Sequence, residues 1–163
     1  MHLSAEPVLT APAQSEKVGV VRANGQYCLV ACKTILRDES IFQIIGEYTT
    51  RPSRYSVQVG KQLHVDVAAG IDSEVILDNF FWRFMNHGCE PTAYIRECAV
   101  IALRDIAPWE EITFNYNTVE YDLAEPFVCC CNSPSCMGRI RGYKYLGLEE
   151  RRRLLPFTAP HLI

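Results

Sequence analysis

Arg83-Phe84-Met85-Asn86-His87-Gly88-Cys89-Glu90-Pro91 is the stretch on which the reading of this chain turns. An amide, an imidazole and a thiol fall close together there, between an aromatic run and a proline. Taken alone, Asn-His-Gly is a turn whose side chains find local partners. The flanks extend the reading in both directions. Before it, Val75, Ile76, Phe80 and Phe84 recur at roughly helical spacing from Asp72 to Met85, and Asp72 with Ser73 suits a cap, which predicts one helix. After it comes Trp109-Glu110-Glu111-Ile112-Thr113-Phe114-Asn115-Tyr116, where Ile112, Phe114 and Tyr116 alternate as one face of a strand.

The remaining chain is built of short apolar, β-favouring runs: Tyr27 to Ala31, Ile41 to Ile45, Leu63 to Val67 and Ala99 to Leu103, separated by Gly, Pro or charged residues. Leu148 to Leu155 predicts a second helix. Residues 1–16, rich in Ala, Pro and Ser, read as a loosely held N-terminal arm. With 163 residues, 48% hydrophobic and 21% charged, the composition fits one globular domain with a sizeable core. A net charge of −3 offers no general attraction to nucleic acid or acidic lipid, so no direct nucleic-acid or membrane partner is expected and a basic partner suits the chain better. Met1 to Ser15 has no basic segment followed by an apolar run, and no later stretch suits a bilayer span. An intracellular location is expected, nuclear and cytoplasmic being indistinguishable.

Eight cysteines are the anomalous count, and four lie between Cys129 and Cys136. In a reducing compartment clustered thiols are metal ligands or nucleophiles rather than disulfides. Cys129, Cys131 and Cys136 have the spacing C-x-C-x4-C, with Pro134 and small residues allowing the chain to fold back. Three thiolates can then converge, and a tetrahedral structural zinc needs a fourth. Cys28, Cys32, Cys89, Cys98 and Cys130 are the candidates, Cys130 being disfavoured because neighbouring side chains of an extended segment point to opposite sides. Spacing does not choose among the others.

In this order, the Arg-Phe-x-Asn-His-x-Cys-x-Pro segment, the Glu-Glu-Ile-Thr-Phe-Asn-Tyr segment and the cysteine run together resemble the signature of SET-domain protein lysine methyltransferases. The resemblance runs from about Gly25 to Gly138, with weaker matches at Ile35 to Ile41, Gly46-Glu47, Tyr55 and Asp66. It implies a mainly β fold with short helices, the SET domain (β-clip), with a C-terminal pseudoknot and a post-SET zinc segment. The expected division is 1–16 arm, 17–124 SET domain, 125–142 post-SET segment and 143–163 partly helical extension. By the same resemblance Cys89 joins Cys129, Cys131 and Cys136 on a structural zinc, which returns Cys28, Cys32 and Cys98 to the core.

The implied activity is methyl transfer from S-adenosylmethionine to a lysine of a protein, with a basic peptide such as a histone tail as substrate. Tyr116 matches the family's catalytic tyrosine. Phe114 would line the lysine channel, with Tyr94 either lining it too or packing in the core, and a Phe at 114, where the family carries Phe or Tyr, leaves room for higher methylation states. Asn86 and His87 would hold the cofactor, joined by Tyr55, the backbone at Cys130, and Gly25 with Tyr27. Asp66 and Glu47 read as structural. Gln26-Tyr27-Cys28 stands where most of the family has a G-x-G loop, Gly88 replaces the usual Ser and Asn115 the usual Asp. Two rival readings follow: a catalytically inactive SET module for peptide binding or scaffolding, and a SET-fold enzyme acting on a small molecule.

Overall fold

The computed structural model describes residues 16–163, so the N-terminal arm expected over 1–16 lies, except for its last residue, outside the described residues. The chain opens with strands β1 (Val18–Ala23) and β2 (Gln26–Ala31), an antiparallel hairpin closed by Asn24 and Gly25 with φ of 51° and 78°. That left-handed pair matches the right-handed twist of the flanking strands. The sequence reading missed β1 and began at Tyr27, although the Asn-Gly turn was its signal.

Next come β3 (Ser40–Gln43), β4 (Glu47–Thr49), β5 (Val57–Gly60) and β6 (Leu63–Asp66). Helix α1 (Ser73–Asn79) precedes β7 (Asn86–His87), β8 (Ala93–Arg96), β9 (Ala99–Ala102) and β10 (Thr113–Phe114). Strands β11 (Phe127–Val128) and β12 (Arg139–Ile140) and helix α2 (Leu148–Leu154) complete the fold. Two three-stranded sheets, ordered β3-β9-β8 and β4-β6-β5, stand beside the pairs β1-β2, β7-β10 and β11-β12. The chain is therefore mainly β with short helices, as expected.

These small sheets share one core, centred on the fully buried Leu29, Ala31, Ile35, Val100, Ile106, Ile112 and Val119. β-branched side chains are stiff and pack well on pleated surfaces, which suits strands too short to stabilise themselves. No helix of the described residues is long and apolar enough to cross a membrane.

Three expectations need correction. The helix expected over Asp72 to Met85 ends at Asn79: Phe80 leaves helical geometry at φ −107° and ψ 57°, and a 3₁₀ turn follows over Phe81–Phe84. The break turns Phe81 and Trp82 into the core, where the Trp82 indole N–H donates to the Ile45 carbonyl at 2.9 Å. Tertiary burial overrides local periodicity here, and Asp72 makes no side-chain cap. The strand expected over Ile112 to Tyr116 is only two residues long, because the chain turns at Tyr116 into a 3₁₀ turn. Cys32, expected in the core, is exposed just past the end of β2, while Cys28 and Cys98 are half-buried.

The C-terminal extension packs behind the segment that follows Tyr116. Ala159 N–H donates to Thr118 O at 2.7 Å, His161 Nε2 lies 2.8 Å from Val119 O, and the Arg96 guanidinium donates to Pro156 O at 2.7 Å. Tyr143, Ala159 and Leu162 form a small second cluster there.

Candidate functional site

Strands β7 and β10 run parallel, with Asn86 opposite Thr113 and His87 opposite Phe114. The segment after Asn86-His87 and the segment ending at Tyr116 thus pass beside one another, and this crossing assembles the site. The Thr92 hydroxyl donates to Glu111 O at 3.0 Å and accepts from Thr113 N–H at 3.0 Å, tying the two segments together. The crossing is close at Gly88: a Cβ there would lie 2.9 Å from Thr113 Oγ1, so a side chain would need that hydroxyl to move.

Tyr116 stands where the segments meet. Its hydroxyl donates to the Met85 carbonyl at 2.7 Å and its backbone N–H donates to His87 Nδ1 at 3.1 Å. Its ring lies 4.7 Å from Phe114, 5.3 Å from His87 and 5.9 Å from Phe127, centroid to centroid. Burial, with the charge of Glu120 adding to it, pushes the phenol well above its ordinary range, so the hydroxyl stays protonated. Burial pulls the His87 imidazole down to about 4, and it is neutral. Because Nδ1 accepts the Tyr116 N–H, the ring proton sits on Nε2, which faces Cys89 Sγ at 3.3 Å.

Asn86 uses its amide hydrogens within the protein, donating to Tyr27 O at 3.1 Å and to Glu111 Oε1 at 2.8 Å. Cys28 Sγ lies 3.7 Å from the same nitrogen, and burial with the neighbouring Glu111 carboxylate raises its thiol pKa. Tyr27 therefore reaches the site through its carbonyl, while its ring packs edge-on against Phe84 at 5.4 Å. Gly25 forms the hairpin turn, and a Cβ there would meet nothing within 4 Å. Tyr55 lies under the Arg83 guanidinium at 4.2 Å, and Arg83 in turn pairs with Asp66 at 3.5 Å. The Cys130 thiol is exposed, 3.9 Å from Val128 O. Tyr94 packs on Phe157 at 5.4 Å, outside the ring cluster around Tyr116, and lines a cavity of about 210 Å³ with Cys89, Asn115, Leu103, Leu154 and Phe157.

Cys89, Cys129, Cys131 and Cys136 converge, their sulfur atoms all within 4.8 Å of one another. Zinc bonds thiolate at about 2.3 Å, so a tetrahedral site has sulfur–sulfur edges near 3.8 Å. The Cys89–Cys129 separation is 3.8 Å, and the donor set fits zinc. Chain reversal at Asn132, with φ 55°, folds Cys136 back toward Cys129. Burial pushes the Cys89 thiol up to about 12, whereas the Ser133 backbone N–H lowers Cys131 to about 7. A dication bound among the sulfurs would outweigh the burial of Cys89 and hold it as thiolate.

Behind Tyr116, Glu120 is buried with its Oε1 accepting from Gln58 N–H at 2.8 Å and its Oε2 3.7 Å from His64 Nε2. Burial raises its carboxyl to about 7, the Gln58 N–H opposing that rise.

The SET domain family model matches residues 26–117, more than half of the chain. The chain belongs to the SET domain family. Among curated relatives, the histone-lysine N-methyltransferase TRX1 of Oryza sativa subsp. japonica is 30% identical over 133 residues, covering 71% of this chain and 13% of that protein. The H3 lysine-36 specific histone-lysine N-methyltransferase of Coccidioides immitis is 30% identical over 142 residues, covering 77% of this chain and 14% of that protein. This SET domain therefore spans a small fraction of those relatives. Among solved structures, KRYPTONITE in complex with mCHG DNA and SAH superposes with a TM-score of 0.58 at 21% identity, over 75% of this chain and 28% of that one. KRYPTONITE with mCHH DNA, an H3(1-15) peptide and SAH gives 0.56 at 20% identity, over 75% and 29%. At that identity the likeness is one of fold.

Three participants in this SET domain site escaped the sequence reading. Met85 acts through its carbonyl, which no side-chain pattern reveals. Glu111 lies inside the quoted motif, but its partner Asn86 is remote in sequence. Phe127, just before the cysteine run, presents its ring to both His87 and Tyr116.

Proposed function

We propose that this SET domain is a protein lysine N-methyltransferase that uses S-adenosylmethionine and acts on a lysine in a basic peptide of the histone-tail kind, with zinc on Cys89, Cys129, Cys131 and Cys136. The observation that carries the reading is the anchored Tyr116 hydroxyl, 2.7 Å from Met85 O within a ring of aromatic groups. The histone-lysine methyltransferase relatives and the SAH in the KRYPTONITE structures support it.

The residues around Asn86 fit such a cofactor. The Asn86 amide, the Glu111 carboxylate and the Tyr27 carbonyl form a polar, negative corner beside the Tyr27 and Phe84 rings, suited to a ligand that pairs cationic centres with an aromatic base. Asn86, His87, Tyr55, Gly25, Tyr27 and the backbone at Cys130 would hold it. When bound, the cofactor supplies an electrophilic sulfonium methyl group for in-line displacement by an amine. The protein's own contribution is alignment and exclusion of water. Apolar rings from Phe114, Tyr116 and Phe127 disfavour an ammonium ion and so favour the neutral lysine amine. The neutral Tyr116 phenol would offer its oxygen lone pairs to the polarised methyl group while its own proton stays hydrogen-bonded to Met85 O.

A non-catalytic peptide-binding module is the second reading, and one observation favours it: the Asn86 amide hydrogens are already used inside the protein. Calorimetry with S-adenosylmethionine, followed by a labelled-methyl assay on histones and on free lysine, decides the matter. Binding with transfer to histone lysines supports the proposal, transfer to free lysine alone points to a small-molecule enzyme, and no binding leaves the module.

A further inference from the structure

His87 touches both the catalytic tyrosine and the cysteine cluster. Its Nδ1 accepts the Tyr116 backbone N–H at 3.1 Å, and its Nε2 lies 3.3 Å from Cys89 Sγ. The same sulfur also receives the Met137 backbone N–H at 3.3 Å. A four-thiolate zinc site carries a net charge of −2, and N–H donors to its sulfurs offset that charge where water is excluded; Cys89 is the buried member of the set. A neutral imidazole can donate from one nitrogen only while accepting at the other. The two contacts of His87 therefore specify one tautomer, and each orients the ring for the other. The edge-on packing of that ring against Tyr116 at 5.3 Å and Phe127 at 5.8 Å leaves it little freedom to turn away.

We propose that His87 is a positioning residue that couples the metal centre to Tyr116: the zinc-bound Cys89 thiolate orients the imidazole, and the imidazole holds the Tyr116 backbone where its hydroxyl meets Met85 O. The metal is then more than a fastener of the C-terminal segment. Its occupancy bears on the geometry of the tyrosine through the His87 ring. This inference rests on the proposed zinc site and on the proposed role of Tyr116.

Two side chains divide the ring's functions. Asparagine places a polar atom where Nδ1 stands and lacks the reach to Cys89, whereas glutamine places an amide N–H where Nε2 stands and leaves Tyr116 N–H without its acceptor. The experiment measures zinc release to a chelator and hydrogen exchange of the Tyr116 amide in the full chain, for wild type, His87→Asn, His87→Gln and His87→Phe. Expected are zinc release about ten-fold faster or more in His87→Asn and His87→Phe but close to wild type in His87→Gln, and faster Tyr116 exchange in His87→Gln and His87→Phe. Wild-type zinc retention in both His87→Asn and His87→Phe, or unchanged Tyr116 exchange in both His87→Gln and His87→Phe, would overturn the proposal.

A second measurement needs no variant. Removing zinc from the wild-type protein must shift the His87 ring ¹⁵N resonances and the Tyr116 amide, and a shift confined to residues 127–140 would sink the coupling. None of these readouts depends on turnover, so a wild-type protein without transferase activity overturns the proposed reaction and not this link.

Discussion

The Tyr116 hydroxyl donates to the Met85 carbonyl at 2.7 Å, joining the end of one crossing segment to the residue immediately before the other. This bond fixes the phenolic oxygen independently of any ligand. Replacing Tyr116 by Phe keeps the ring packing and removes only that oxygen. Turnover should fall by about 100-fold or more, while the loss of one hydrogen bond costs about 1 kcal/mol and lowers Tm by a few degrees. Comparing labelled-methyl transfer with the melting curve checks both; turnover close to wild type would remove Tyr116 from catalysis.

Phe114 is buried against Tyr116 with centroids 4.7 Å apart. A hydroxyl added at its ring edge needs a partner, and a water or the amine itself would supply one at the expense of space for methyl groups. Phe114→Tyr should therefore shift the products of one substrate peptide toward the monomethyl form. Mass spectrometry of a time course reads the distribution, and an unchanged distribution refutes the idea.

Metal removal should act on the site through Phe127 as well as through His87. That residue opens β11, which pairs with β12 around the cysteine loop, and its ring faces both His87 and Tyr116. Cys136→Ser should leave purified protein with zinc near zero and turnover reduced roughly ten-fold or more, with the two three-stranded sheets retained. Elemental analysis, far-UV circular dichroism and the transfer assay together test this; a folded wild-type protein without zinc would dismiss the four-cysteine site.

Glu120 predicts a pH dependence with a definite sign. Its folded pKa of about 7 lies above the ordinary 4.5, so the native state holds a proton that the unfolded chain releases between those values. Stability from this group is full below the lower value and is lost as pH rises through about 7. His64 and His161, both lowered chiefly by burial, act oppositely and lose stability as pH falls below the ordinary 6.5. Glu120→Gln removes the first dependence and keeps the second. Its stability relative to wild type should rise by roughly 2–3 kcal/mol between about pH 5 and pH 8 in denaturant titrations, and a constant difference would contradict the assignment.

Much of the site was legible because its residue types are unusual at their spacing. C-x-C-x4-C needs a reversal and a fourth thiol, and the family resemblance selected Cys89, whose sulfur lies with the other three in the structure. Asn86, His87, Phe114 and Tyr116 were legible for the same reason, and the parallel β7-β10 pair brings them together. Tyr94 was not: its position after Cys89 is compatible with either side of β8, and only packing against Phe157 from the C-terminal extension shows which neighbour it takes. The helix before the motif was half legible, since periodicity carries no information about the pull of Trp82 toward Ile45 O.

By itself the sequence determined the family, the mainly β character and the three thiols of C-x-C-x4-C, because each depends on residue type and local spacing, while the family resemblance alone pointed to Cys89 and Tyr116. The tertiary structure decided everything that depends on one segment passing another. That the Met85 carbonyl anchors Tyr116, that Glu111 holds Asn86, and that His87 stands between Cys89 and Tyr116 follow from the crossing of β7 and β10, and the Tyr27 carbonyl reaches Asn86 from β2 beside it. Backbone carbonyls and the two nitrogens of an imidazole leave no signature in a sequence, since their roles are set by direction and distance, which only the folded chain specifies.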